Sequence, residues 1–383
     1  MRLKIAQFLD RDGEIDVGEV TNGHCTTAIR GGIVRAWLKT ANDPATHLTE
    51  WFWQGAPAGI ERGFESLDGI FPRVPPKDSE LEAEDLYTDP DEFVNYSGVE
   101  DDSAVQAEIE RYHSAGYLRA FDTINDVRTF VGGDPIISKV GAAKKEKIDA
   151  ETGQTFVKTR IIIDSKESGV SKAAKRTHKS NLPLATHTIR GLLGLMSNDM
   201  SRDNGIELLI TDFSDAFWMV PLHPAEYKYF VICYNAKYYV FLRTAQGSRG
   251  APLTWAAVAS LISRLVQSLF ITDSGQEARL QCYVDDPLLG VKGTAERRRL
   301  LAARFIACMI VLGVKLAFPK AQLGTDVVWI GVQFQVSHLK ITACVPIDKL
   351  TALWEIVREM QLQNVIPLKD IRSLAGKCTN IAT

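Results

Sequence analysis

No run of roughly eighteen apolar residues occurs in the 383-residue chain, so nothing in it reads as a membrane-spanning helix. The start, Met1-Arg2-Leu3-Lys4, lacks the apolar core of a signal peptide. These two absences set the expectation of an intracellular protein, cytoplasmic or nuclear, with no membrane partner. The six cysteines, Cys25, Cys233, Cys282, Cys308, Cys344 and Cys378, form no Cys-x-x-Cys pair and no zinc spacing. That pattern fits free thiols in a reduced compartment. No internal repeat and no low-complexity tract is present. Net charge is only −3, so the chain as a whole does not advertise a nucleic-acid partner. What remains is ordinary globular composition, 45% hydrophobic and 24% charged, with material for a large core. The length suits two or three lobes, since single cores stop growing at roughly 250–300 residues.

The small net charge hides an uneven distribution. From Glu61 to Glu110 there are 16 acidic and 3 basic residues, and from Lys139 to Lys179 there are 11 basic and 5 acidic. Such asymmetry points either to an anionic partner at the basic segment or to a solvated basic face. On the first reading the acidic stretch lies away from that partner. Residues 1–102 read as an N-terminal extension, partly linker or loosely ordered, with an aromatic cluster at Trp51-Phe52-Trp53 that suits local packing.

Further along, apolar periodicity predicts a helix over 104–117, N-capped by Ser103, with Val105, Ile109 and Tyr112 on one face. Pro135–Ala143 and Thr155–Ile163 read as a hairpin with a long charged turn, and a helix follows from about Thr186 to Met196. A strand, Glu207–Thr211, runs into Asp212. Tyr229–Cys233 and Tyr238–Leu242 form a hairpin turning at Asn235, followed by a long helix from Pro252 to Phe270. Arg279–Val284 and Pro287–Val291 form a hairpin with Asp285-Asp286 at its tip. Glu296–Leu312 is a helix stopped by Gly313, Val327–Gln335 pairs with Leu339–Val345, and an amphipathic helix starts at Asp348. Helices alternating with mostly antiparallel hairpins predict an α+β fold.

Two acidic sites stand at the ends of apolar strands. One is Leu208-Leu209-Ile210-Thr211-Asp212-Phe213-Ser214-Asp215-Ala216-Phe217, the other Gln281-Cys282-Tyr283-Val284-Asp285-Asp286-Pro287-Leu288-Leu289. Carboxylates packed together raise one another's pKa unless a cation neutralises them. Two Mg²⁺ ions would do so, because hard divalent ions take carboxylate oxygens and keep positions open for phosphate and water. An Asp-Asp pair alone is also ordinary turn chemistry.

The surrounding residues change that balance. Tyr283-Val284-Asp285-Asp286 resembles the Tyr-x-Asp-Asp motif of retroviral and retrotransposon reverse transcriptases. Asp212-Phe213-Ser214-Asp215-Ala216-Phe217 resembles their Asp-x-x-x-Ala-[Tyr/Phe] motif, and Gln246-Gly247-Ser248-Arg249-Gly250-Ala251-Pro252 their Gln-Gly-x-x-x-x-Pro motif. Lys158-Thr159-Arg160-Ile161-Ile162-Ile163-Asp164 with Ser168-Gly169-Val170 resembles the fingers strand and its turn. Lys320 followed by Trp329-Ile330-Gly331 resembles the late palm motif and primer-grip hairpin. The resemblance runs over about residues 103–383, in the family's order.

It implies a right-hand polymerase with an antiparallel palm sheet backed by helices: fingers at 103–206, palm at 207–335 with a return to the fingers around 228–250, and primer-grip hairpin with truncated thumb or connection at 336–383. It implies an RNA-directed DNA polymerase that uses two Mg²⁺ ions, with Mn²⁺ as a substitute, and that acts on a primed RNA or DNA template with deoxynucleotides. Asp212 and Asp285 would ligate metal, Asp286 would complete the carboxylate cluster, and the Phe213 carbonyl would add an oxygen. Asp215 and Ala216 would present backbone N–H groups to the triphosphate. Phe217 would be a steric gate against a 2′-hydroxyl, and Gln246 and Gly247 would lie against nucleotide and template. Arg160 and a fingers lysine, aligned at Lys145, would bind phosphate, and Lys320 would approach the leaving pyrophosphate as a general acid.

The chain departs from the family in its first 100 residues, in a longer fingers hairpin and in Pro287 after Asp-Asp. It also leaves no room after Thr383 for an RNase H, integrase or protease, as a fragment, truncated gene model or decayed copy would. Two rival readings are a catalytically inactive or domesticated nucleic-acid-binding remnant and an RNA-dependent RNA polymerase. The intact acidic triad speaks against the first and Phe217 against the second.

Overall fold

The computed structural model describes residues 2–9, 27–75, 81–148, 153–196, 205–272, 275–337 and 340–382. By its contacts the chain divides into two units. The first comprises Met1–Asn181, Asp215–Ile262 and Val311–Lys315; the second comprises Leu182–Ser214, Ser263–Ile310 and Leu316–Thr383. The divisions fall at 181/182, 214/215, 262/263, 310/311 and 315/316. Among the described residues no helix is long and apolar enough to cross a membrane.

The first unit holds the helices α1 (Arg2–Leu9), α2 (Gly31–Thr40), α3 (Ser103–Ser114) and α4 (Ile124–Val131). Its strands are β1 (Leu118–Phe121), β2 (Ile137–Ser138), β3 (Val140–Ile148), β4 (Thr155–Ile163), β6 (Val231–Tyr234) and β7 (Lys237–Phe241). A four-stranded sheet runs in the order β1-β7-β6-β2, and β3 and β4 form a separate ribbon. Helix α3 begins where Asp102, not Ser103, accepts the Ala104 N–H at 3.1 Å. An aspartate cap is as good as serine and adds a charge that suits the positive helix end. Val105, Ile109 and Tyr112 are buried, as the periodicity required. The β6–β7 hairpin turns through Asn235 and Ala236, both left-handed, which matches the twist of two paired strands. An aromatic core centres on Trp218, stacked on Tyr117 with ring centroids 5.2 Å apart and on Phe241 at 5.8 Å.

Residues 27–75 are part of this unit, not an extension from it. Ile33, Val34, Leu38, Trp51 and Phe52 are buried. Ala56 forms a parallel bridge with Leu222: its N–H donates to Pro221 at 2.7 Å, and its carbonyl accepts the His223 N–H at 2.9 Å. The carboxylate of Glu226, fully buried, accepts the N–H groups of Ala58 at 3.2 Å, Arg62 at 3.0 Å and Glu61 at 3.3 Å. Residues 81–102 carry little regular structure but are anchored. Val99 is buried, and Asn95 donates to the Cys233 carbonyl at 2.7 Å and accepts the Val140 N–H at 3.1 Å.

The expected separation of acidic and basic stretches is not what the chain does. Lys144 pairs with Asp102 at 2.6 Å, Lys175 with Glu82 at 3.0 Å, and Tyr96 donates to Asp164. The acidic residues neutralise part of the basic segment, which is the cheaper arrangement for opposite charges 42 and 93 positions apart in sequence.

The second unit holds β5 (Gly205–Phe213), the short pair β8 (Ile271–Thr272) and β9 (Gly275–Gln276), β10 (Ala278–Tyr283), β11 (Asp286–Gly293), β12 (Leu316–Gly324), β13 (Asp326–Trp329), β14 (Val332–Val336) and β15 (Ile341–Cys344). Its helices are α5 (Ala185–Leu193), α8 (Ile347–Gln361) and α9 (Leu368–Ala382), while α6 (Ala251–Ser268) and α7 (Ala295–Leu312) run across the division. The main sheet is antiparallel in the order β10-β11-β5-β12, and β13-β14-β15 forms a second, three-stranded sheet. Leu192 and Leu195 pack with Leu208, Ile210 and Leu288. A Cβ at Gly290 would stand 2.5 Å from a terminal methyl of Leu192, so any larger residue there would make that leucine shift.

Two of the features that escaped the pattern reading lie in this unit. β12 contains Pro319, and its register against β5 shifts between Ala317 and Gln322, a bulge that breaks period-two alternation. The expected strand 327–335 is instead two strands folded back at Ile330-Gly331, both left-handed, because an apolar Ile gives no turn signal.

Glu226 is a fully buried carboxylate that accepts three backbone N–H groups. Burial raises its carboxyl pKa while the backbone N–H groups oppose that shift. A raised folded-state pKa contributes stability that is present below the unfolded value and lost as pH rises through the folded one. Glu226→Ala should lower unfolding free energy by about 3 kcal/mol at neutral pH in urea titrations, because several buried N–H groups lose their acceptor. It should also remove that fall in stability above pH 4.5.

Candidate active site

The acidic strand ends of the second unit come together through the backbone. Leu208, Leu209, Ile210 and Thr211 of β5 are buried, and Asp212, where the strand runs out of core, is half-buried. β5 lies between β11 and β12, with Ile210 opposite Leu288 and Asp212 opposite Ala317. Beyond the last paired residue the Phe213 N–H donates to the Asp285 carbonyl at 2.8 Å. This bond ties the chain after Asp212 to the tip of the β10–β11 hairpin, 72 positions later by residue number.

That hairpin is tighter than expected. Tyr283 pairs directly with Asp286, so the tip is Val284-Asp285 and Asp286 is the first residue of β11. Val284 is left-handed, φ +55°, an expensive conformation for a β-branched residue, of order 1–3 kcal/mol. Three contacts brace it. The Cys282 thiol donates to the Val284 carbonyl at 3.3 Å, the Phe213 N–H holds Asp285, and the Trp329 indole N–H donates to the Asp286 carbonyl at 3.0 Å. Burial pushes the Cys282 thiol pKa up, and the neighbouring charges of Asp285 and Asp286 add to the shift. The thiol therefore stays neutral and able to donate. Pro287 leaves the hairpin intact: the register is unbroken from Ala278 opposite Val291 to Tyr283 opposite Asp286. The β11–β5 ladder begins at Leu288, one residue after the proline that has no N–H to give.

Among the described residues no group of three or more His, Cys, Asp or Glu side chains is drawn together as a metal site. The backbone brings Asp212 beside Asp285-Asp286, while the three carboxylates do not converge as a preformed cage. Like charges gain nothing by crowding one another. The donor set fits a hard divalent ion in chemistry, and in placement at the level of the strands. Side-chain convergence is not part of that fit. The side chain of Lys320, on β12, lies outside the described residues.

The other residues singled out from the sequence fall in the first unit. Asp215 is left-handed, φ +54°. Its carboxylate accepts from the Tyr117 hydroxyl at 3.3 Å and lies 3.6 Å from the Arg111 guanidinium. Burial first, then Asp215, pushes the Tyr117 pKa up. Ala216 is buried and Phe217 half-buried, its ring 6.5 Å from that of Trp255. Gly247 is left-handed, φ +97°, and a Cβ there would come within 3.2 Å of the Ile163 carbonyl. The Gly247 carbonyl accepts from Ser165 at 3.4 Å, and Arg249 donates to the carbonyls of Ser171 and Ala174 at 3.1 Å each. Gln246-Gly247 is thus laid against the end of β4. On the ribbon, Lys145 is opposite Lys158 and Arg160 opposite Ala143, which puts Lys145 and Arg160 on one exposed face. Lys144 points to the other face, towards Asp102.

Residues that the motifs did not nominate as supports are Arg111, Tyr117 and Trp329. Arg111 and Tyr117 are about 100 positions from Asp215, and no local pattern signals such a contact. Trp329 stood in a motif, but its bond to Asp286 was not foreseeable from spacing.

Together, an antiparallel sheet flanked by helices, with acidic residues on a strand end and an adjacent hairpin, defines an α+β polymerase fold. Residues 164–334 match the family model described as reverse transcriptase (RNA-dependent DNA polymerase). A Gag-Pro-Pol polyprotein of squirrel monkey retrovirus is 25% identical over 150 residues, 38% of this chain and 8% of that one. The foamy viral protease-reverse transcriptase dRH, solved in complex with double-stranded DNA, matches with a TM-score of 0.50 at 14% identity. That match covers 98% of this chain and 51% of the solved one. These likenesses support a reverse transcriptase of the retroelement type. The chain spans about half the length of the solved relative and a small part of the polyprotein.

Trp329→Phe keeps an aromatic ring but deletes the donor and part of a buried side chain. It should lower unfolding free energy by about 2–3 kcal/mol, the net worth of one such bond plus the lost packing. The tip should also exchange its amide hydrogens faster than the rest of β10 and β11, as hydrogen-exchange mass spectrometry would read.

Proposed function

We propose that this chain is the polymerase part of an RNA-directed DNA polymerase, adding deoxynucleotides to a primer 3′ end by two-metal phosphoryl transfer. The observation that carries the reading is the Phe213 N–H bond to the Asp285 carbonyl, which brings both acidic motifs to one end of a single sheet. The family match over residues 164–334 supports the reaction class, and the intact Asp212, Asp285 and Asp286 support activity. The partners are a primed RNA or DNA template and deoxynucleotides. A double-stranded DNA complex of the foamy viral relative supports the first of these.

Asp212, Asp285 and Asp286 would hold two Mg²⁺ ions, or Mn²⁺ in their place, with the Phe213 carbonyl as a further oxygen donor. Such ions lower the pKa of an attacking hydroxyl and neutralise charge on a leaving pyrophosphate. The protein's own part is positioning. Asp215 and Ala216 offer backbone N–H groups to the triphosphate, and the Asp215 carboxylate is turned instead to Arg111 and Tyr117. Lys145 and Arg160 present cations from one face of the ribbon. Phe217 stands as the gate under the sugar, and Gln246 and Gly247 lie along nucleotide and template, where glycine permits close backbone approach. Lys320 is assigned as the acid that protonates pyrophosphate. In lobes, 103–206 is assigned to fingers, 207–335 to palm and 336–383 to primer grip and partial thumb, with residues 27–75 packed on the fingers side.

The test is Mg²⁺-dependent primer extension on an RNA template. Asp285→Asn should reduce the rate at least about a thousandfold, the scale of losing a principal electrostatic contributor. Extension by the variant at the wild-type rate would remove Asp285 from the reaction. Phe217→Val should leave deoxynucleotide addition within about tenfold and raise ribonucleotide incorporation, since a contact that excludes one hydroxyl is worth about 1–3 kcal/mol. Unchanged sugar discrimination would dismiss the gate.

A further inference from the structure

Asp215 is held from outside its own turn. The residue is left-handed and precedes the short 3-10 turn Ala216–Met219. An aspartate so placed usually accepts from the N–H groups that follow it. Its carboxylate makes no such bond. It turns instead to two residues of the same unit, about 100 positions earlier. The Tyr117 hydroxyl donates to Oδ2 at 3.3 Å, and Nη1 of Arg111 lies 3.6 Å from Oδ1.

Neither partner needs this contact for its own placement. Tyr117 is already stacked on Trp218, with ring planes 8° from parallel. Arg111 gives Nε and Nη2 to Glu108 at 2.9 and 2.7 Å, and its guanidinium lies 4.6 Å from the Tyr112 ring centroid. The bidentate pairing with Glu108 fixes the plane of the guanidinium and leaves Nη1 to face Asp215. The group that gains from the contact is therefore the Asp215 carboxylate. That group has two problems of its own. A left-handed residue other than glycine is a costly conformation that its surroundings must hold. Its side chain is also 27% exposed, so its charge reaches solvent and would repel an anion bound at the turn. A cation and a hydroxyl on one side of the carboxylate answer both: they pin the turn and draw the charge away from the opposite side.

We propose that Arg111 and Tyr117 are positioning residues for the incoming nucleotide: they hold the Asp215 carboxylate back from the triphosphate and keep the left-handed turn that receives it. This rests on the polymerase reading, which gave Asp215 and Ala216 to the triphosphate and gave Arg111 and Tyr117 no part in it. Both act through Asp215 and touch no substrate. Their effect falls on the phosphates, so it is the same for all four bases, and it falls on binding, not on the chemical step.

The experiment uses the 383-residue chain and two readouts: primer-extension kinetics with each deoxynucleotide, and calorimetric binding of inorganic tripolyphosphate in excess Mg²⁺. Tyr117→Phe deletes one hydroxyl and keeps the stacked ring. It should raise KM for every deoxynucleotide about fivefold, the scale of one hydrogen bond, and weaken tripolyphosphate by the same factor. The kcat and the primer–template affinity should stay as in the wild type. Arg111→Ala should act in the same sense, and Arg111→Lys should recover part of the loss because it restores the charge without the fork. A fall in kcat at unchanged KM would overturn the assignment, as would a KM change that tripolyphosphate does not share. Loss of primer–template affinity in step with a lowered Tm would make the contact merely structural and overturn it too. A wild-type chain that extends no primer defeats the polymerase reading alone. The tripolyphosphate arm still decides this one: no binding to the wild type, or equal binding to Tyr117→Phe, overturns it.

Discussion

A single backbone hydrogen bond, from the amide of Phe213 to the carbonyl of Asp285, is the constraint on which the acidic end of the second unit depends. It lies past the end of the regular β5–β11 ladder, so it ties the last residue of β5 to the tip of the β10–β11 hairpin. Its worth in isolation is only about 1 kcal/mol. Its importance is positional: without it Asp212 and the Tyr283–Asp286 hairpin would be two acidic loops sharing a sheet by accident. The strained Val284 and the Trp329 indole belong to the same economy of position. A left-handed valine persists only where its surroundings over-determine it.

Much of this was legible in the sequence, and for definite reasons. The helices with apolar residues every three or four positions, α3, α6, α7 and α8, appear within a few residues of their expected bounds. Buried stripes at helical period leave a long, redundant signal. The acidic motifs were found because apolar runs ended in carboxylates, a juxtaposition that packing alone does not favour. Resemblance then supplied roles that spacing could not. On the ribbon Lys144 faces Asp102 while Lys145 shares a side with Arg160, a difference between neighbours that the run Lys144-Lys145-Glu146-Lys147 does not show by itself.

What was not legible depends on contacts between distant positions or on broken alternation. β12 hides behind Pro319 and a bulge. The turn at Ile330-Gly331 has only one residue that signals it. The acidic stretch read as loosely held because composition cannot see that Asp102 and Glu82 each pair with a lysine of the basic stretch and that Tyr96 donates to Asp164 there. The same blindness made residues 27–75 look dispensable. Their buried aromatics suggested local packing, whereas the bridge from Ala56 to Leu222 shows packing on residues far along the chain.

Glu226 gives that last contact an asymmetric character. The glutamate and the three amides it receives come from segments more than 160 positions apart. Each side alone is a liability: a carboxylate sealed from water, or a row of donors with nothing to accept them. A chain begun at Ser103 would retain the whole of every recognised motif and yet carry an orphaned anion beneath its first sheet. The early segment and the 3-10 turn Pro224–Tyr229 after the first acidic motif are therefore free to change in sequence only in step with each other.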